Sequence, residues 1–177
     1  MLPSLRIGVV ALSLVSGVVF AGCAPITVHS YSERGAAFTY RTYAWAPADS
    51  VPTGDPRLDN NPFFSERVRA AVEYQLAGRG FEKTAASPDV LLHYHASITE
   101  DIDLSGAPDR FDACQNCGAF VFDAGTLVLD LVDARTSRLV WRGWAERVNP
   151  VIDNQDWMEE TIDAVVARII KQMPPRL

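Results

Sequence analysis

The chain has 177 residues, enough for one domain with a sizeable core, and 48% of them are hydrophobic, which excludes disorder along its whole length. Its formal net charge is −6, from 16 basic and 22 acidic residues, and no basic stripe runs through it. That balance argues against nucleic acid as a partner, and against electrostatic adsorption to anionic lipid.

The N-terminus carries Arg6 and no acid, then an apolar run over residues 7–21 broken only by Gly8, Ser13, Ser16 and Gly17. Phe20-Ala21-Gly22-Cys23 follows. A short basic region, an apolar region and a small-residue cleavage site make a secretory signal. The run is too short and too interrupted for a spanning helix, which needs about 20 mostly apolar residues. Cys23 directly after Ala-Gly resembles the lipobox of bacterial lipoproteins, although Phe20 stands where an aliphatic residue is usual. The expectation is a signal peptide over residues 1–22, with Cys23 as the lipidated N-terminus of the mature chain. Removing 22 residues leaves 155, and because Arg6 is the one charge lost, the net charge moves from −6 to −7. Charge cannot then hold the domain at a membrane, so acyl chains must, at about 0.8 kcal/mol per buried methylene. Ala24, rather than Asp, follows the cysteine. By resemblance to the sorting rule of enteric bacteria, that points to the periplasmic face of the outer membrane.

Residues 23–36 read as a tether, and residues 37–175 as a single domain. Residues 38–45 are rich in aromatic and β-branched side chains and alternate, as a strand does. The prolines, Gly54 and aspartates of residues 46–60 form a loop. A helix then starts, with Asn61 to cap it and Pro62 at its first position. Phe64, Val68, Ala71, Val72, Gln75 and Leu76 recur at helical spacing, and Gly78 and Gly80 stop it, with Phe81 folding back. A second strand covers residues 90–99, with Leu92, Tyr94, Ala96 and Ile98 as the core face and Leu91, His93, His95 and Ser97 opposite. Residues 100–122 read as a loop insertion. Residues 125–133 and 138–145 form a β-hairpin about a short polar turn, and a last amphipathic helix covers about residues 155–172, with Trp157, Ile162, Val165, Ile169 and Met173 in its stripe. The expected fold is α+β: a two-layer sandwich of a mostly antiparallel sheet with two helices packed on one face, in the order β-α-β-β-β-α.

These stretches resemble the bacterial lipoprotein family known as domain of unknown function 4136. The matching residues include Tyr40-Arg41-Thr42-Tyr43-Ala44-Trp45, Leu76-Ala77-Gly78-Arg79-Gly80-Phe81, Pro88-Asp89-Val90-Leu91-Leu92, Gly125-Thr126-Leu127-Val128-Leu129-Asp130 and Leu139-Val140-Trp141-Arg142-Gly143-Trp144. The resemblance implies a lipid-anchored envelope protein and brings no catalytic residues.

Few residues are available for chemistry. Cys114 and Cys117 remain after Cys23 is used, in an oxidising compartment, and read first as a disulfide. A free dithiol is the next reading. Two thiolates with His93 and His95 also suit a tetrahedral zinc site, but the spacing matches no standard finger. A redox pair is disfavoured because no helix pattern follows the cysteines. Glu100, Asp101, Asp103, Asp109 and Asp112 lack the spacing of a calcium loop. Asp130 and Asp133 fall on opposite strand faces, as do Trp141 and Trp144, of which one belongs in the core. His29 falls in the tether. No nucleophile elbow, Ser-His-Asp order or phosphate loop is present. The expectation is therefore a non-enzymatic, lipid-anchored envelope module without a cofactor, meeting an envelope protein or peptidoglycan. The alternative is a small-ligand or metal-binding module using His93, His95 and the cysteine loop.

Overall fold

The computed structural model describes residues 26–32, 38–47, 55–59, 61–103, 120–148 and 154–175. Cys23, Cys114 and Cys117 lie outside the described residues, and with them the expected signal peptide, anchor and cysteine pair. In chain order the elements are β1 (Thr27–Ser32), β2 (Thr42–Trp45), α1 (Pro56–Asp59), α2 (Pro62–Gly78), β3 (Glu82–Lys83), β4 (Val90–Asp103), β5 (Phe120–Asp133), β6 (Leu139–Val148) and α3 (Gln155–Lys171). The fold is α+β, with one mixed six-stranded sheet ordered β1-β6-β5-β4-β2-β3 and three helices.

Several expectations need correction. Thr27–Ser32 is not tether but an edge strand, antiparallel to β6. Its His-Ser-Tyr-Ser sequence has no apolar alternation, because an edge strand with half-exposed faces needs none. The first expected strand shortens to Thr42–Trp45. The insertion shrinks from both sides, since β4 runs to Asp103 and β5 begins at Phe120. The sheet is less antiparallel than expected: β4 pairs parallel to β2, and β2 parallel to β3. The reason is the crossover, because a strand, a helix and a strand in succession return the chain in the same direction.

The helices form where their signals lie. Asn61 accepts from the Phe64 N–H at 3.1 Å, and Asn154 accepts likewise from the Trp157 N–H. At the end of α2, Phe81 N–H reaches Leu76 C=O and Gly80 N–H reaches Ala77 C=O, with Gly80 at φ 75°. That left-handed glycine lets Phe81 turn back into the core. Arg79 extends from there to donate to the Ile170, Met173 and Pro174 carbonyls, so the end of α2 caps the end of α3. Arg67 of α2 also pairs with Glu159 and Asp163 of α3.

One core joins helices and sheet. Val68, Val72 and Leu76 of α2 and Ile162, Val165, Val166, Ile169 and Ile170 of α3 are buried with Val90, Leu92, Leu129, Leu131 and Trp141 of the strands. Trp157 departs from the expected stripe: in the first turn of α3 it points outward, 47% exposed. The other face of β4, β5 and β6 carries a different set of side chains.

Candidate functional site

The polar turn between β5 and β6 sets the register of that second face. The Asp133 carboxylate accepts from the Arg135 and Thr136 N–H groups and the Thr136 hydroxyl. These bonds hold its carboxyl below the usual carboxylate range. Asp133 is thus a turn residue, and the hairpin beyond it pairs Leu131 with Trp141 and Asp130 with Arg142. Trp141 goes into the core at 1% exposure and Trp144 comes out on the opposite face, as the spacing of three predicts.

Two rows of side chains then cross four strands. Pairing places His95 of β4 beside Val128 of β5, Val128 beside Trp144 of β6, and Trp144 beside His29 of β1. The adjacent row is His93, Asp130, Arg142 and Tyr31. All three histidines of the chain therefore share one sheet face. Sequence reasoning paired His93 with His95 and missed His29, because β1 was unread.

Asp130 anchors the face. It is only 4% exposed and accepts two bonds of 2.6 Å from Arg142 Nε and Nη2. The short bidentate contact with Asp130 raises the Arg142 pKa against the opposing effect of burial. His95 Nε2 lies 4.0 Å from Asp130 Oδ2. The His93 and His95 rings stand nearly parallel, 6.5 Å apart. The His29 ring stacks on Trp144 at 5.1 Å, and Trp144 Nε1 donates to Glu146. Around the small Val128 side chain, His95, Arg142 and Trp144 leave a shallow concavity of 430 Å³. It offers a flat aromatic surface, imidazole donors and acceptors, and a guanidinium fixed by its carboxylate. Among the described residues that line it, none carries a hydroxyl or a thiol. Among the described residues, no three His, Cys, Asp or Glu side chains cluster closely enough to hold a metal ion, and no helix is long and apolar enough to cross a membrane.

Residues 27–175 match the model of a family described as a domain of unknown function (DUF4136). No curated protein matches the chain. Among solved structures, a PDZ domain protein from Parabacteroides distasonis is similar at 13% identity and a TM-score of 0.53, over 84% of this chain and 36% of its own. The chain thus spans about a third of that protein. A PelC dodecamer from Paraburkholderia phytofirmans is similar at 11% identity and a TM-score of 0.52, over 86% of this chain and all of its own. A DUF4136 family protein from Bacteroides thetaiotaomicron follows at 11% identity and a TM-score of 0.45, over 81% and 95%. At such identities the likeness is one of fold alone.

Proposed function

We propose that this chain, which belongs to the DUF4136 family, is a non-catalytic cell-envelope module that meets its partner through the helix-free face of its sheet. The single observation that carries this reading is the pair of rows on that face, where His95, Arg142 and Trp144 line a concavity and His29 and Tyr31 stand beside them on β1. Trp, Tyr and Arg are the side chains that dominate contact energies, because they offer large rigid areas with polar edges. We read the layers as a two-layer sandwich, so the helices cover one face and leave the other for contact. Lipidation at Cys23 belongs to the same reading. It fixes the module to the periplasmic face of the outer membrane, where an envelope protein or peptidoglycan is within reach. The dodecameric state of the PelC structure makes a second copy of the chain one partner to test for.

A photo-crosslinking amino acid at Tyr31, on this face, is compared with one at Tyr74, exposed on α2. Adducts in intact cells from position 31, lost in a Trp144→Ala, Arg142→Ala background, support the reading. Equal adducts from position 74, or turnover of a substrate that a single substitution abolishes, end it. A Cys23→Ser change tests the anchor separately, by moving the chain out of the membrane fraction.

The parallel His93 and His95 rings favour a second reading, a metal or small-ligand module completed by Cys114 and Cys117. Native mass spectrometry decides it: zinc retained by the chain and lost in His93→Ala supports it, and a metal-free, ligand-free mass sinks it.

A further inference from the structure

A second concavity lies toward one end of the sheet, on its helix-covered side. It is lined chiefly by Ala96 and Ile98 of β4, Leu127 of β5, and Met158, Ile162 and Val165 of α3, with Phe64 of α2 across from them. Its cavity volume is about 60 Å³, opening at one side to solvent. The lining includes Ser97, Thr126 and Thr161 but no charged side chain. Interiors of folded domains leave few voids, and an apolar one offers nothing to a polar ligand. A hydrocarbon chain gains about 0.8 kcal/mol for each methylene it buries there.

The position of the cleft within the fold narrows the source. Ile98 pairs with Gly125, and Gly125 with Val148, level with the end of β6 and the start of β1, where Thr27 pairs with Glu146; β4 and β5 run on beyond this point to Asp103 and Phe120. Ile26 packs against the core just before Thr27. Cys23 precedes Ile26 by three residues, a reach of at most about 11 Å. A chain anchored at Cys23 therefore carries this part of the sheet close to the bilayer surface. We infer that the cleft takes the terminal methylenes of an acyl chain of a bilayer phospholipid. The inference rests on the anchored reading above and deepens it, adding a second, non-covalent contact with the membrane.

The full chain is mixed with phosphatidylethanolamine–phosphatidylglycerol vesicles doped with a phospholipid bearing a diazirine on one acyl chain. After illumination, label is mapped by peptide mass spectrometry and vesicle flotation is scored in parallel. The protein's own lipid lacks diazirine, so every adduct reports bilayer lipid. Label is expected on the peptides holding Ile98 and Met158–Val165. Thr161→Trp, which fills the mouth from a half-exposed position, reduces it about tenfold, the equivalent of roughly two buried methylenes. Thr161→Val, close in size and more apolar, retains it. A chain that floats without cleft label overturns the inference and leaves the anchor standing. Cleft label without flotation keeps the inference and removes the anchor. Neither label nor flotation ends both.

Discussion

Asp130 is an acid with 4% exposure on the sheet face that carries the three histidines, and its two bonds to Arg142 are what make that burial tolerable. Arg142 itself is 45% exposed, so screening weakens the pair on one side only. Arg142→Leu strands the carboxylate and is expected to destabilise the domain by about 1–3 kcal/mol. Asp130→Asn, which keeps shape and removes charge, costs less. Chemical denaturation of both singles and the double checks this: a positive coupling is expected, and simple additivity would mean the pair contributes nothing. One residue further on, a Cβ at Gly143 would sit 2.5 Å from the Trp141 ring and 2.7 Å from Ile169. Neither neighbour is a free chain end, so Gly143→Ala should cost about 1–3 kcal/mol by overpacking, read as a lower urea midpoint at unchanged slope. The hairpin itself is legible from its turn chemistry, but the Asp130–Arg142 pair is not. A turn at residues 134–137 alone would pair Asp130 with Trp141; a one-residue register shift between Leu131 and Val132 brings Arg142 opposite Asp130 instead. A bulge of this kind carries no apolar signal, so the pairing is not readable from residue spacing.

The elements that escaped the sequence are those held by single polar residues rather than by apolar period. β2 has four residues, and its entry is fixed by Asp89, whose carboxylate accepts the Arg41 and Thr42 N–H groups at 2.8 Å each. Those backbone bonds hold the Asp89 carboxyl below the usual carboxylate range. A depressed folded pKa contributes stability that is fully present above the unfolded value of about 3.9 and is lost as pH falls through the folded one. Asp89→Asn is therefore expected to be less stable than the parent at neutral pH, by about 1 kcal/mol or less given its exposure, with the gap closing below about pH 4. Thermal melts across that range check it, and a gap that widens in acid contradicts the clamp. The same logic applies at the other end of the crossover. Arg79 donates to three carbonyls at the end of α3, and Arg79→Met should cost about 1 kcal/mol while leaving α2 intact. Amide exchange of the last turn of α3 would rise first. By contrast α2, α3 and the β5–β6 hairpin were readable, because cap residues, apolar spacing and turn chemistry agree there. β1 was unreadable for the opposite reason: Thr27–Ser32 gains its structure from β6 and carries little apolar signal of its own.

At the scale of the molecule, the expected stripes of α2 and α3 and the expected core face of β4 meet in one cluster. What the sequence could not supply was the order of strands, and with it the two rows that bring the histidines together. His29 reaches Trp144 only because β1 returns to pair with β6, and that long-range pairing leaves no local signal. A shared core has a measurable consequence. Trp141 sits between β6 and α3, while Trp45 is held by α2 through Glu73, whose acceptor oxygen also takes Lys83 of β3. Burial pushes the Glu73 carboxyl up, but the bonds from Lys83 and Trp45 outweigh it and keep the group ionised. Arg69 covers the Trp45 ring at 4.5 Å, tying α2 to the β2 end of the sheet. Neither helix can leave without exposing part of the same cluster. Unfolding in urea should then be one transition, with tryptophan fluorescence and far-ultraviolet circular dichroism coincident at every concentration. Variants that keep Trp45 alone or Trp141 alone, with the other three tryptophans replaced by Phe, separate the two ends of the sheet, and their fluorescence midpoints should each match the helical signal of the same variant. If instead the Trp45 end loses its signal at lower urea than the Trp141 end, the crossover and the hairpin are separate cooperative units. The rows of His29, Tyr31, Arg142 and Trp144 would then be carried by the hairpin and β1 without support from α2.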